Sequence, residues 1–289
     1  MATNYYNIAG YHFAFHNQLG TALKFPPGFS PFEAPASDQL DGTYTFVDEG
    51  ERPIDAADTN QTYIDCETWR FGRTQNEKLY MDIQYVPNQF WQPAAYLEPD
   101  FSNGLLFPKK YNANELFPYT WFFPIDEQLL LNRIAWLDGA LIHCCGIQHQ
   151  GKAILFCGKS GAGKSTTAEL WPAAGATLMN DDRIIIRPRD EGYVASATPW
   201  HGTVQEINPA ILPIAAVFHL HQAKENRVEP IPYAQSVQRI MANAIAPFYF
   251  KTSMSRVMQT LSTAMQNVPS YHLHFTPDQG AVEAVKSVL

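Results

Sequence analysis

Short segments in which apolar and polar residues alternate fill the first half of the chain, up to about Phe123. Such alternation, with many aromatic and β-branched residues, is typical of strands that bury one face. Stretches rich in proline and glycine, such as Phe25–Gly28, separate the segments and predict turns. The pattern predicts a β-rich N-terminal lobe over residues 1–123, with strands at Tyr11–Phe15, Gly42–Val47, Thr62–Arg70 and Lys78–Tyr85.

The pattern changes at about residue 124, where helical and strand periods begin to alternate. Apolar residues at helical spacing predict a helix that opens after Pro124 and ends at Asp138-Gly139. The strands Ala140–Ile147 and Ala153–Cys157 follow, and the short link between them predicts an antiparallel hairpin. Further elements are predicted at Thr177–Asn180, Arg183–Arg187, Gly192–Ala197, Ala215–His221 and Tyr271–Phe275 as strands, and at Tyr233–Ile245 and Ser253–Gln266 as helices.

These elements define the predicted fold class, which is α/β (α+β). Residues 124–289 are expected to form a nucleotide-binding domain with a mixed or antiparallel sheet, because a hairpin stands where an ordinary βαβ unit would place a parallel strand. The N-terminal lobe carries no catalytic motif, and we expect it to support or cover that domain.

The run from Gly158 to Thr166 carries the main chemical signal. It fits the pattern G-x-x-x-x-G-K-[ST], between the apolar strand Ala153–Cys157 and the helix-forming segment Thr167–Trp171. Glycines let backbone N–H groups close around a polyphosphate, and a helix N-terminus adds a positive dipole end. The sequence therefore predicts an ATP site whose binding residues are Gly158, Ser160, Gly161, Ala162, Gly163, Lys164, Ser165 and Thr166.

Two side chains of this loop have separate predicted roles. Lys164 supplies a point charge to the β- and γ-phosphates, and the Ser165 hydroxyl is a predicted Mg²⁺ ligand. ATP and Mg²⁺ are thus the expected cofactors.

Composition is that of an ordinary soluble enzyme. Hydrophobic residues make up 46% of the 289 residues, and the net charge of -8 is unfavourable for nucleic-acid binding. No apolar run approaches the roughly 18 residues of a membrane span, and Met1–Tyr5 does not resemble the start of a signal peptide. We expect a cytoplasmic protein with no nucleic-acid or membrane partner and with reduced thiols at Cys66, Cys144, Cys145 and Cys157.

Two further features stand at fixed places around the loop. Ile142-His143 lies on the strand before it, and Leu178–Asp182 ends in an Asp-Asp pair after the helix. With the loop, this order resembles the HPr kinase/phosphorylase family and, more distantly, the ATP-dependent phosphoenolpyruvate carboxykinases. The resemblance runs from about Phe123 to the C-terminus. The stretch Ala216–Leu220 and the helix after Tyr233 look like a stand-alone bacterial subgroup, some members of which are associated with peptide-modification systems.

The resemblance implies an ATP-dependent kinase, and the departures from it limit the substrate. Thr198–Thr203 replaces the glycine-rich second signature of HPr kinases, so HPr is not the implied acceptor. The chain is also much shorter than a carboxykinase, and the arginines that bind oxaloacetate are not identifiable. Carboxykinase chemistry is therefore the least supported activity.

The aspartate pair has two interpretations. Adjacent aspartates suit a turn between strands. The resemblance instead implies catalysis, with Asp181 as the metal partner and Asp182 as the base that accepts a proton from the attacking hydroxyl. His143 is either a buried strand residue or a group that orients the aspartate or contacts a phosphate.

An aromatic turn and two histidine pairs are further candidates for the site. Trp200 and His201 are candidates for the acceptor pocket, with simple packing as the alternative for the tryptophan. The pairs His219/His221 and His272/His274 each share one strand face, which could hold a metal, but ordinary strand residues are the preferred interpretation.

Two functions from different classes remain open, beside the carboxykinase activity. The first is a Mg²⁺-dependent kinase that transfers the γ-phosphoryl group to a hydroxyl of a small molecule, peptide or protein. The second is a nucleotide-sensing or scaffold module with little turnover, whose N-terminal lobe binds a protein partner or a second copy. Lys164, Ser165, His143 and the aspartates favour the enzyme, because a sensor needs no base.

Overall fold

The structure is a computed structural model of the chain. It describes residues 2–53, 59–67, 69–83, 94–108, 110–112, 115–116, 124–190 and 192–289. Contacts divide the chain into two compact units. The first unit comprises Met1–Asn7, Tyr11–Leu137 and Pro247–Ser253, and the second comprises Ile8–Gly10, Asp138–Ala246 and Met254–Leu289.

The first unit is built on a sheet of eight strands. The elements are β1 (Ala2–Ile8), β2 (Tyr11–Asn17), β3 (Gly42–Phe46), β4 (Thr59–Asp65), β5 (Trp69–Thr74), β6 (Leu79–Ile83), β7 (Ala94–Leu97), β8 (Asn103–Phe107), β9 (Lys110–Asn112), β10 (Glu115–Leu116) and the helix α1 (Ile125–Trp136). The spatial order of the strands in the sheet is β1, β2, β3, β8, β7, β6, β5 and β4, and a separate ladder joins β9 and β10.

Aromatic side chains fill the core of this unit, as the alternation predicts. Tyr6 packs against Phe15, Phe25 and Phe29 with ring centroids 4.9–5.7 Å apart. The buried Tyr44 hydroxyl donates to the Phe101 carbonyl at 2.6 Å, so its polar end is satisfied. Helix α1 begins with two acidic residues, which suit a helix N-terminus, and buries its leucines.

The second unit is built on a nine-stranded mixed sheet with four helices. Its elements are β11 (Ala140–His149), β12 (Lys152–Cys157), α2 (Lys164–Leu170), β13 (Thr177–Asn180), β14 (Arg183–Arg189), β15 (Gly192–Ala197), β16 (Ile211–Gln222), β17 (Arg227–Pro230), α3 (Tyr233–Met241), β18 (Ala244–Ile245), α4 (Lys251–Asn267), β19 (Ser270–Phe275) and α5 (Gln279–Lys286).

Strand β12, which leads into the loop, lies between an antiparallel and a parallel neighbour. It pairs with β11 in antiparallel register, with Cys157 opposite Cys144, and this confirms the predicted hairpin. On its other edge it pairs with β16 in parallel register, with Cys157 beside His219. Strand β19 continues the parallel ladder beyond β16. The carboxyl ends of three parallel strands therefore meet where the loop begins.

The core of the second unit lies under the loop and the helix after it. Phe156, Trp171, Phe218 and Phe275 are all at most 3% exposed and form one cluster with the apolar residues of α5. Phe156 stacks on Phe218 with ring centroids 5.6 Å apart. This buried layer fixes β12 and β16 side by side.

The predicted fold class is confirmed, and two predicted elements are corrected. The strand Thr62–Arg70 is two strands, β4 and β5, because the chain turns between them, where Cys66 N–H donates to Trp69 O at 3.2 Å. The helix Tyr233–Ile245 ends at Met241, and Ala244–Ile245 joins β11 as β18. Thr68, Gln84 and Tyr85 of the predicted strands, Phe123 at the predicted domain boundary and Glu191 lie outside the described residues.

Several elements had no sequence prediction, notably β1, β17 and α5. By contacts, helix α1 groups with the first unit rather than the second. The division of the chain into domains 1–123 and 124–289 stays a prediction. Within the described residues, no helix is both long enough and apolar enough to cross a membrane.

Candidate functional site

The loop between β12 and α2 has the backbone of a phosphate cradle. Gly161 and Gly163 have φ values of 77° and 103°, which side-chain-bearing residues rarely adopt. Within the described residues, their N–H groups donate to no other backbone group, whereas Ala162 N–H closes the turn on Lys159 O at 3.0 Å. The two glycine amides are therefore free to bind an anion.

The loop is also held from outside. A Cβ on Gly163 would lie 2.7 Å from the Phe275 ring, so the loop packs directly on the end of β19. Gln222, at the end of β16, donates from Nε2 to Gly161 O at 2.9 Å. The parallel neighbours of β12 thus set the loop's position.

Lys164 occupies the first position of α2 and is 9% exposed. Its Nζ donates to Gly158 O at 2.9 Å, across the mouth of the loop. Ser165 and Thr166 are exposed beside it. A buried ammonium and an exposed hydroxyl at the start of a helix fit a phosphate and its Mg²⁺, which binds few protein ligands and keeps phosphate oxygens and waters.

Asp182 and His143 form a pair at the end of β13. His143 Nδ1 lies 3.1 Å from Asp182 Oδ1 and 3.1 Å from the Asp182 carbonyl oxygen. Both oxygens accept, so Nδ1 carries the proton. Arg183 Nε donates to Asp182 Oδ2 at 2.9 Å. Asp182 is thus bracketed by an imidazole and a guanidinium, with 22% of its side chain exposed.

Asp181 has different partners and is 5% exposed. Its Oδ1 accepts from Gly202 N–H at 2.8 Å. Its Oδ2 accepts from Thr203 N–H at 2.8 Å, from Val204 N–H at 3.0 Å and from the Thr203 hydroxyl at 3.2 Å. The carboxylate therefore anchors the loop that follows Trp200, and Oδ1 is the oxygen with capacity left for a metal.

The sequence did not point to Asn180, yet it connects both aspartates with that loop. It is fully buried, and its Oδ1 accepts from the N–H groups of Asp182 and Arg183 at 2.8 and 2.9 Å. Its Nδ2 donates to Trp200 O at 2.9 Å. Arg183 also lies over the Trp200 ring, 5.8 Å from its centroid. The turn of the aspartates and the Trp200-His201 turn are one hydrogen-bonded assembly.

The loop lysine and Asp181 both affect the Cys145 thiol. Burial first, and then the Asp181 carboxylate, raises the pKa of Cys145, whereas Lys164 lowers it. Burial and contact with Cys157 likewise raise the pKa of Cys144. Cys144, Cys145 and Cys157 are free and buried, and Cys66 is free and exposed. The charges of Lys164 and Asp181 thus act in opposite directions on one buried thiol.

A cavity of about 460 Å³ lies on the flank of the loop. The loop contributes Gly158, Lys159 and Ala162 to its lining, and the ends of β16 and α3 contribute His219, Arg239 and Asn243. His219 is 4% exposed, and its Nε2 has no hydrogen-bond partner among the described residues. The buried Nε of Arg239 also has none. The sequence indicates His219 only as half of a possible metal-binding pair and does not indicate Arg239, because helix and strand positions 20 apart carry no local motif.

The two histidine pairs meet in one cluster beside this cavity. His221 Nε2 lies 2.8 Å from His272 Nδ1, and the rings of His221 and His274 stack 5.0 Å apart. Burial, helped by neighbouring cations, lowers the pKa of His221 and of His272. In the part of the chain that the structure describes, no group of three His, Cys, Asp or Glu side chains is arranged to hold a metal ion.

Fold and loop together define a P-loop protein with a mixed α/β sheet. The chain belongs to the family described as SynChlorMet cassette protein ScmC, whose model matches residues 127–278. Among solved structures it is similar to the "Hpr(Ser) kinase/phosphatase from Coxiella burnetii", at 12% identity and a TM-score of 0.31. That similarity covers 51% of this chain and 94% of the other. No curated protein matches the chain.

The predicted site residues all belong to the second unit. Hydrogen bonds link His143, the two aspartates and the Trp200-His201 turn, whereas Lys164 bonds within its own loop. His201 is exposed, with Nδ1 3.1 Å from Gly202 O. The catalytic, metal and acceptor-pocket roles of these residues, and any role of the N-terminal lobe beside them, stay predictions.

Proposed function

We propose that this protein is an ATP-dependent, Mg²⁺-requiring kinase that transfers the γ-phosphoryl group of ATP to a hydroxyl. The observation that carries the proposal is the combination of an open glycine cradle with the His143–Asp182 pair. A module that only binds nucleotide needs the cradle, but it has no use for a carboxylate whose position is fixed by an imidazole N–H.

In the proposed reaction the acceptor oxygen attacks the γ-phosphorus. The new O–P bond forms as the bond to the β,γ-bridging oxygen breaks, and ADP leaves. Asp182 takes the hydroxyl proton, while His143 holds the carboxylate through its Nδ1–H. Lys164 and the amides of Gly161 and Gly163 hold the phosphate oxygens. Bound Mg²⁺, for which Ser165 and Asp181 Oδ1 are the candidate ligands, would neutralise phosphate charge.

Two variants separate binding from transfer. Lys164→Ala removes the buried ammonium, and we expect calorimetry to detect no Mg·ATP binding. Asp182→Asn keeps the size of the side chain and loses proton acceptance. We therefore expect it to bind Mg·ATP normally, while ATP turnover falls by about 10²-fold.

The matched control is Asp190→Asn, an exposed aspartate in the turn after β14. It should change neither quantity. Unchanged Mg·ATP affinity in a folded Lys164→Ala variant would contradict nucleotide binding at this loop. Unchanged turnover in Asp182→Asn at saturating ATP would exclude that carboxylate as the base. Nucleotide binding with no turnover in the wild type would favour the sensing module.

A further inference from the structure

The cavity beside the loop adjoins the phosphate cradle and extends beyond it. Of the predicted ATP-binding residues, Gly158 and Ala162 line it, whereas Gly163, Lys164 and Ser165, which face a bound polyphosphate in the proposed site, do not. The wall formed by His219, Arg239 and Asn243 contains none of the predicted ATP-binding residues. The cavity volume of about 460 Å³ lies within the usual range of small-molecule pockets.

The charge of the cavity is one-sided. Arg239 and Lys159 contribute cations, and no described residue that lines the cavity is acidic. Within the described residues, the Arg239 side chain has no hydrogen bond or ion pair. A guanidinium is a forked donor that matches carboxylate and phosphate oxygens, and here no protein acceptor uses it.

The histidine in the same wall is also without a partner. Burial, together with the charge of Arg239, lowers the pKa of His219 to about 3, so its ring is neutral at physiological pH. Leaving a buried polar atom unpaired destabilises the fold, and native proteins rarely do so without a reason. An Nε2–H facing an anion would satisfy that atom without adding a second charge.

The carbonyl groups at the end of α3 do not occupy the side-chain donors of Arg239 and His219. Helix carbonyls at a C-terminus normally repel an anion. Here Gln238 O and Ile240 O accept from the N–H groups of Ala242 and Asn243. Arg239 O accepts from Asn243 Nδ2 at 2.8 Å. Three carbonyls of the last turn are thus hydrogen-bonded within the helix end, and the side-chain donors of Arg239 and His219 remain.

We propose that Arg239 and His219 form an oxyanion subsite for the phosphoryl acceptor, so that the acceptor carries a carboxylate or phosphate group near the hydroxyl that is phosphorylated. This inference rests on the proposed kinase function. It places the charged part of the acceptor at the flank of the loop rather than at the Trp200-His201 turn.

The probes are glycolate, the smallest hydroxy acid, inorganic phosphate, and glycolamide as the neutral counterpart of glycolate. Each is titrated into protein saturated with Mg²⁺ and a non-hydrolysable ATP analogue, so that the cradle is filled. Binding is followed by the carbon-13 spectrum of labelled histidine, with the His219 signal assigned from its loss in His219→Gln. We expect glycolate or phosphate to shift that signal, and glycolamide to bind about tenfold more weakly or not at all.

Four variants decide the location. Arg239→Gln should weaken the binding of the oxyanion by about tenfold or more, and Arg239→Lys should weaken it less, because the charge stays and the fork is lost. Gln238→Ala, an exposed neighbour on α3, and Asp190→Asn, in the turn after β14, should leave it unchanged. Thermal unfolding of each variant confirms that it is folded.

Three results would overturn the inference. They are no shift with either oxyanion in the wild type, equal binding of glycolate and glycolamide, and oxyanion binding that survives Arg239→Gln. Mg·ADP affinity, measured in parallel, tests the kinase proposal separately. If Arg239→Gln weakens Mg·ADP as strongly as the oxyanion, the cavity belongs to the nucleotide, and the subsite is wrong while nucleotide binding stands.

Discussion

Replacing Gly163 with alanine tests whether the loop's conformation is imposed by β19. The residue has φ +103°, and an added Cβ would meet the tip of the Phe275 ring at 2.7 Å. Phe275 is 3% exposed and belongs to the core cluster under the loop, so the ring has little room to move. Backbone strain from the positive φ and steric overlap with Phe275 therefore both destabilise this variant.

Gly161→Ala introduces the backbone strain without the steric overlap. Its φ is +77°, and nothing lies within 4 Å of an added Cβ. The left-handed backbone conformation destabilises each alanine variant by about 1–2 kcal/mol. The lower backbone entropy of the unfolded chain stabilises both variants by about 0.4–1 kcal/mol. Overpacking adds about 1–3 kcal/mol for Gly163→Ala alone. The difference between the two free energies of unfolding should therefore be about 1–3 kcal/mol.

The assay is urea unfolding of the two variants and the wild type, followed by far-ultraviolet circular dichroism. A third variant, Gly163→Ala with Phe275→Leu, should be less destabilised than the sum of its single substitutions, because the smaller side chain relieves the contact. Equal destabilisation by Gly161→Ala and Gly163→Ala, or full additivity in the double variant, would refute the contact between the loop and β19.

Two further predictions concern buried polar groups of the second unit. Asp181→Asn should destabilise the protein by about 2–3 kcal/mol and speed hydrogen exchange at Gly202, Thr203 and Val204, since hydrogen bonds to a carboxylate are worth about 1.5–3 kcal/mol; unchanged protection of those amides would contradict the anchoring role. His219→Gln should reduce acid sensitivity. The pKa of His219 is about 3 in the folded protein against an ordinary value of 6.5. Between these values only the unfolded state takes up the proton, so stability falls as the pH drops. At about 1.4 kcal/mol per pH unit the loss at pH 4.5 is roughly 3 kcal/mol, and an identical pH profile in the variant would contradict it.

Local signals account for what the sequence predicted well. The loop, the hairpin before it and the strand after the Asp-Asp pair each depend on residues within a few positions of one another. Helix α3 shows where such reasoning fails. Its pattern continues toward Ile245, but Ala244 and Ile245 find backbone partners on Leu141 and Ile142 of β11. A strand edge far away in the sequence thus ends the helix four residues before the pattern does.

The parts of the candidate site that escaped prediction are all non-local. His219 and Arg239 meet in one wall only because β16 pairs with the loop's own strand while α3 returns to it. Asn180 also accepts from the nearby N–H groups of Asp182 and Arg183, but its bond to Trp200 O joins residues 20 apart in the sequence. No spacing rule relates these residues, because the contacts depend on tertiary pairing.

The different partners of the two aspartates argue for the order of their proposed roles. Oδ2 of Asp181 already accepts three hydrogen bonds from the Gly202–Val204 loop, so this oxygen is occupied. Each oxygen of Asp182 instead faces one side chain, His143 Nδ1 at Oδ1 and Arg183 Nε at Oδ2, and 22% of the Asp182 side chain is exposed. Removing Asp181 should therefore loosen the Gly202–Val204 loop, whereas removing the Asp182 carboxylate should slow transfer without changing the protection of that loop. If both asparagine variants loosen the loop equally, the two residues form one structural unit and the division of roles fails.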